Sequence, residues 1–159
     1  MSASALPHEA LCRSIVEAAQ DGIVFADRDG VIRLWNAGAE TIFGYPAEQA
    51  LGQRLDLIIP ENLRARHWEG YRRVMASGAT RYGRELLKVP ALRRDGTRIS
   101  LEFTVVPVRG ASGEILGVGA IIREVTERWR QERALRERLA ALEAKERATG
   151  GRLAAGEDR

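Results

Sequence analysis

The sequence predicts an α+β domain built on a five-stranded antiparallel sheet and followed by one long helix. Three observations predict it. Two apolar runs, GIVFAD and VIRLWN, flank Arg28-Asp29-Gly30, a turn suited to an antiparallel hairpin. Three more strand patterns, residues 84–92, 97–109 and 115–124, are divided by Asp95-Gly96 and Ala111-Ser112-Gly113. Helix signals fill the interval between the two sets, the order expected of helices gathered on an antiparallel sheet.

Taken in order, residues 1–8 are expected to be flexible, and 9–19 place Leu11, Ile15, Val16 and Ala19 near helical spacing. After the hairpin, Asn36 caps a short helix with Glu40 near its positive end, Ile42 and Phe43 on one side and Gly44 as its stop. Pro46 starts a second short helix that Gly52 closes. Pro60 opens a longer helix running to Ser77, with Gly78 where a left-handed C-cap falls. In the strand 97–109, Ile99, Leu101, Phe103 and Val105 alternate with Ser100, Glu102 and Thr104, giving one apolar and one polar face.

Past Thr126 the composition turns to Arg, Glu, Leu and Ala, which suits one helix over 127–149, with 150–159 as a disordered tail. Leu135, Leu139 and Leu142 follow 4-3 spacing, and Glu132/Arg136 and Glu143/Arg147 are favourable i,i+4 pairs. Two readings stay open: a short coiled-coil seam that dimerises with help from the domain, or a solvated linker helix.

The chain has 159 residues, enough for one domain and an appendage. A single cysteine, Cys12, excludes an internal disulfide and a cysteine-cluster metal site. The net charge is +3, but the arginines alternate with glutamates, so no basic stripe forms and direct nucleic-acid binding is not expected. No apolar run approaches the roughly 20 residues of a membrane span, and the start lacks a basic n-region and an apolar h-region. A cytoplasmic protein is the expectation. No nucleophile–base, metal-binding or phosphate-cradling set is present, so an enzyme is not expected.

DGIVFAD...DGVIRLWNAGAETIFGY, AEQALGQRLDLIIPE, RRDGT and REVTERW together resemble a PAS domain of the S-box type, over residues 11–126 within a domain placed at 9–126. The resemblance implies a five-stranded antiparallel sheet flanked by short helices, with the helix from Pro60 to Ser77 facing the sheet across a pocket. It also implies that the helix after Thr126 is a signalling helix leading to an output domain. Only about 30 residues follow Thr126, fewer than a small autonomous domain needs, so output is expected from a partner or from a longer chain.

On the long helix, Leu63, His67, Gly70, Tyr71 and Val74 form one inward stripe, while Arg64, Trp68, Arg72 and Arg73 point elsewhere. A neutral imidazole in an apolar row is what an axial haem ligand requires, and Gly70 leaves room for a macrocycle. RARHWEGYRRVMASG aligns without gaps through RRDGT with haem-PAS oxygen sensors of the FixL type, His67 falling on their proximal histidine. Their distal arginine falls on Leu87, and a related sensor's sixth-ligand methionine falls near Glu85. Oxygen stabilisation is therefore expected to be weak, with Tyr82 and Arg84 as possible substitutes. The expected pocket lining is Leu63, Tyr71, Val74, Tyr82, Arg84, Leu87, Leu101, Phe103, Val105, Ala120 and Ile122 around His67, the expected haem-iron ligand.

Other occupants stay open: another small molecule, or none. The light-sensing flavin branch needs a cysteine near residues 45–52, which this chain lacks. Cys12 is expected to be a small core residue, His8 solvated, Trp35 core packing and Asn36 a cap, with Arg109 and Arg123 as surface charge. The expected function is a sensory module that binds a small ligand, haem first, and relays the change through its C-terminal helix. The alternative is a ligand-free scaffold. Either works as a homodimer through the N-terminal helix, the sheet face and the C-terminal helix.

Overall fold

Asn36 is the residue from which the N-terminal half is built. The computed structural model describes residues 7–80 and 85–154. Helix α1 (His8–Ala18) leads to strand β1 (Gly22–Asp27), a turn, strand β2 (Ile32–Trp35) and helix α2 (Ala37–Phe43). The Asn36 Oδ1 accepts from the Ala39 amide at 3.0 Å, as a cap should, and also from the Ile23 amide at 2.8 Å. Its Nδ2 faces the carbonyls of Val16, Ala19 and Asp21 at 2.9, 3.2 and 3.0 Å. One side chain thus joins α1, β1 and α2. The approach is so close that a Cβ on Gly38 would lie 2.3 Å from the Asp21 carbonyl oxygen.

The β1–β2 turn is held by Asp27, whose Oδ1 accepts from the amides of Asp29 and Val31, both at 3.0 Å. Gly30 takes φ +76°, and a Cβ there would lie 2.2 Å from the Trp68 ring. Helix α2 ends at Gly44 in the left-handed conformation. Helix α3 (Ala47–Ala50), a 3-10 turn (Leu55–Leu57) and helix α4 (Glu61–Ser77) follow. Gly78 caps α4 with φ 68°.

Strands β3 (Leu87–Leu92), β4 (Arg98–Arg109) and β5 (Ile115–Glu124) complete a five-stranded sheet of order β2-β1-β5-β4-β3. Every pairing is antiparallel. β3 starts three residues later than the expected 84, since Glu85 and Leu86 lie outside the strand and 84 outside the described residues. The core lies on one face, where α2 and α3 pack Ile42, Phe43 and Ala50 over Val24, Ile99, Leu101 and Ile122. Trp35 is core, as expected, with its ring 5.2 Å from that of Phe43 and its Nε1 donating to the Tyr45 carbonyl. Phe43 is fully buried, which stabilises the fold by about 3 kcal/mol relative to exposure.

The chain divides into two compact units, the second starting at Val125. Within it helix α5 (Thr126–Ala154) continues past Gly150 and Gly151, so the tail expected from 150 is helical as far as Ala154. Arg128–Glu132, Arg133–Glu137, Arg136–Glu132 and Arg147–Glu143 pair along its surface. In the first unit, Cys12 is exposed on α1, contrary to the expectation of a core residue. Its side of α1 carries His8, Leu11 and Ile15, all exposed, while only Ala10 and Val16 of the helix are partly covered.

Candidate functional site

Helix α4 turns inward a wider face than its apolar residues suggest. Tyr71 is buried, and its hydroxyl lies against the carbonyls of Ala26 at 3.0 Å and of Asp27. Burial pushes this phenol well above its ordinary range, helped by the nearby Asp27 carboxylate. Trp68, expected to point away, instead packs under Gly30 and donates to Asp56 Oδ1 at 2.7 Å, with the Arg54 guanidinium 4.4 Å above its ring. Arg64 also turns toward the domain and donates to the carbonyls of Ile59 and Asp56. The helix is therefore anchored along Arg64, Trp68 and Tyr71, because indole, phenol and guanidinium all find acceptors in the β1–β2 turn and the 3-10 segment. Trp68 lies three residues from Tyr71, a spacing that shares a face, but the arginines on both sides of it read as a solvated surface.

The expected stripe sits beside this anchor. Leu63, His67, Gly70 and Val74 are half-buried. The His67 ring lies 4.9 Å from Trp68 and 5.8 Å from Tyr71. Its Nδ1 is buried and has no hydrogen-bond partner. Burial lowers the His67 pKa, with Asp56 opposing, so the ring is neutral at physiological pH. A Cβ placed on Gly70 would meet nothing within 4 Å, so there is open space one turn from the imidazole.

The sheet supplies the other half. Antiparallel partners point to the same face, and the register sets Leu87, Phe103, Ile122 and Gly22 in one row. Trp35, Val24, Ala120 and Val105 form the next row, and Leu101 stands opposite Val89. The expected sheet residues Leu87, Leu101, Phe103, Val105, Ala120 and Ile122 therefore share the inner face. Leu101 and Ile122 belong to the packed core, with Phe103 and Ala120 against it, while Leu87 and Val105 remain half-buried outside it. No described residue of α4 belongs to that core cluster. Tyr82 and Arg84 lie outside the described residues.

The donor chemistry of α4 fits a haem: a neutral, half-buried imidazole with an orphaned ring nitrogen, beside empty space at Gly70. Leu87 offers no hydrogen bond to a gas, and Glu85 is exposed ahead of β3. Neither Arg109 nor Arg123, the two expected surface charges, is idle. Arg109 donates to the carbonyls of Gly78 and Gly113 at 2.6 and 2.8 Å, closing the C-terminal end of α4, and Arg123 pairs with Asp21 at 2.6 Å.

A separate cleft of about 440 Å³ opens beside the α2 C-terminus, lined by Thr41, Phe43, Gly44, Arg93, Arg94 and Asp95. None of the expected site residues lines it. Arg93 pairs with Glu124 at 3.0 Å, and its buried Nε has no partner. Among the described residues no group of three or more His, Cys, Asp or Glu side chains is placed to hold a metal ion. No helix among them is long and apolar enough to cross a membrane.

The chain is similar to known proteins. The sensor protein FixL of Bradyrhizobium diazoefficiens is 30% identical over 128 residues, covering 79% of this chain and 24% of that protein. The oxygen sensor protein DosP of Escherichia coli is 25% identical over 122 residues, covering 77% of this chain and 15% of that protein. The chain thus spans about a quarter or less of the curated relatives it matches. The crystal structure of a PAS domain from Colwellia psychrerythraea superposes with a TM-score of 0.67 at 25% identity, over 76% of this chain and 99% of that one. A family model described as the PAS fold matches residues 16–130. The five antiparallel strands in their order, the short helices over one face and this match agree, and the chain belongs to the PAS family, as a sensory domain.

Proposed function

We propose that this PAS domain senses through a flat, apolar ligand held between α4 and the inner sheet face, haem being the ligand its chemistry favours. The observation that carries this is His67: a desolvated, neutral imidazole whose Nδ1 has no protein partner, next to unfilled space at Gly70. A buried polar atom left unsatisfied costs about 1–3 kcal/mol, which a ligand contact would recover. His67 supplies the axial nitrogen; Leu63, Tyr71 and Val74 wall the helix side; Leu87, Leu101, Phe103, Val105, Ala120 and Ile122 form the sheet side. When bound, haem supplies an iron centre whose redox or gas-ligand state changes. Apolar Leu87 favours a redox or CO/NO response over stable oxygen binding. The sheet carries the change along β5, whose last residue, Glu124, is held by Arg93 just ahead of α5.

The protein acts as a homodimer through exposed apolar surfaces: Leu11 and Ile15 on α1, Val106 and Ile121 on the outer sheet face, and the leucines of α5. A second reading, the ligand-free scaffold, has its own support, since Phe43, Trp35 and Ile42 already cover Leu101 and Ile122.

Haem titration of the purified chain separates the two. A Soret band that saturates near one haem per chain, is lost in His67→Ala and is retained in Tyr71→Phe is expected. Absence of a saturable band, or an unchanged band in His67→Ala, rejects the haem assignment.

A further inference from the structure

We propose that the C-terminal third of α4, residues 72–77, is a lid latched by Arg109, and that the ligand enters and leaves where this end lifts from the β4–β5 turn. This rests on the ligand reading above and adds the route and its gate. Helix α4 is held to the domain by polar contacts more than by packing. Tyr71 is its one buried residue, and no residue of the helix belongs to the apolar core cluster. As far as Tyr71 it is pinned repeatedly: Arg64 donates to the carbonyls of Ile59 and Asp56, Trp68 to Asp56 Oδ1, and the Tyr71 hydroxyl lies against the carbonyls of Ala26 and Asp27. Beyond Tyr71 the pinning stops. Among the described residues, no side chain of 72–77 hydrogen-bonds outside the helix and its cap: Arg73 pairs with Glu69, and the Ser77 hydroxyl stays with Arg73 and Ala79.

The end of the helix is left to one guanidinium. Arg109 closes β4 and is steadied within its own turn by Nη1, which donates to the Gly113 carbonyl at 2.8 Å, while Nη2 reaches across to the Gly78 carbonyl at 2.6 Å. The planar fork makes both bonds at once, and its charge complements the negative end of the helix. Gly78 leaves room for it, since a Cβ there would lie 2.6 Å from Nη2. The contact is exposed, so water replaces it readily when the helix lifts. What lies on the sheet between pin and latch is apolar. Ala26, under the Tyr71 hydroxyl, pairs with Val118 of β5, and Val118 pairs with Pro107, just short of Arg109 on β4. Val105, Pro107 and Val118 are half-buried and stand outside the core cluster, so lifting this end opens apolar ground and breaks none of the core packing.

The test uses the full chain and the variants Arg109→Gln, which removes charge and fork, and Arg109→Lys, which keeps the charge and reaches one carbonyl at a time. Hydrogen exchange read by mass spectrometry on the haem-free chain is expected to speed up about tenfold over residues 72–78 in Arg109→Gln, with 61–71 unchanged and Arg109→Lys in between. Haem uptake and haem transfer to apomyoglobin are both expected to quicken about tenfold, so that affinity moves by less than about twofold. Faster transfer without faster uptake makes Arg109 a mere support of the bound state and overturns the lid. Exchange that rises evenly along α4, or does not rise, overturns it as well. A chain that takes up no haem rejects the ligand assignment, and the exchange pattern still decides the latch, so the two failures are distinguishable.

Discussion

Asn36 shows how much one small amide can hold together. As a helix cap it accepts from Ala39, a role legible in its place ahead of AGAETIF. Its bonds to Ile23 and to the carbonyls of Val16, Ala19 and Asp21 were not legible, because main-chain partners leave no residue signature. Asn36→Ala removes the cap and leaves buried backbone groups unsatisfied, so it should lower the unfolding free energy by about 2–3 kcal/mol in urea titrations. A loss below about 0.5 kcal/mol would mean that the three segments are held by packing alone. Asn36→Asp keeps the acceptor and loses the donors, and should fall between the two. His67 presents the opposite case: its place on α4 was readable, while its unsatisfied Nδ1 could be found only from what surrounds it.

The β1–β2 turn works as an element because Asp27 ties its backbone while Gly30 lets the Trp68 ring pass beneath. Burial pushes the Asp27 carboxyl up, but the Arg33 guanidinium and the amides of Val31 and Asp29 outweigh it and hold the pKa below the usual value. A carboxyl lowered in the folded state stabilises above its unfolded pKa of about 3.9, and the contribution is lost as pH falls through the lower folded value. Asp27→Asn should therefore melt below wild type at pH 7, with the gap narrowing toward about pH 3. An equal gap at both pH values would assign the whole effect to geometry. Strands and caps in this region followed from period and turn residues, as did the inward placing of Tyr71, but the Arg64 and Trp68 side of α4 did not. Arg64 and Trp68 look like surface residues until the acceptors at Asp56 and Ile59, brought in by the 3-10 turn, are known.

At the scale of the whole molecule, charge is abundant and locally cancelled. Among the described residues, salt links run along α5 and across Arg123–Asp21, Arg93–Glu124 and Arg33–Asp27, so much of the positive charge is paired within the chain. At about 150 mM salt the chain should not retard a short duplex DNA in a gel; a shift with a steep salt dependence would contradict this. Fold class and the order of elements along the chain were readable because hairpin turns, capping residues and strand alternation agree with one another, whereas the strand order within the sheet was not. Whether α4 and the sheet leave room for a ligand was not, since it depends on how far α4 stands from a sheet on which Phe43 and Trp35 already pack. The strand order also decides how copies can meet. Its outermost strands are β2 and β3. β3 carries Pro90, which has no amide hydrogen, and an exposed Lys88. Alongside β2, the 52–55 segment takes up backbone groups of Gly30 and Ile32. With both rims blunted, the sheet resists growing by strand addition, the route that leads to fibrils. A second copy would then have the outer sheet face and the helices to meet, rather than the strand rims, and such an assembly would stay finite.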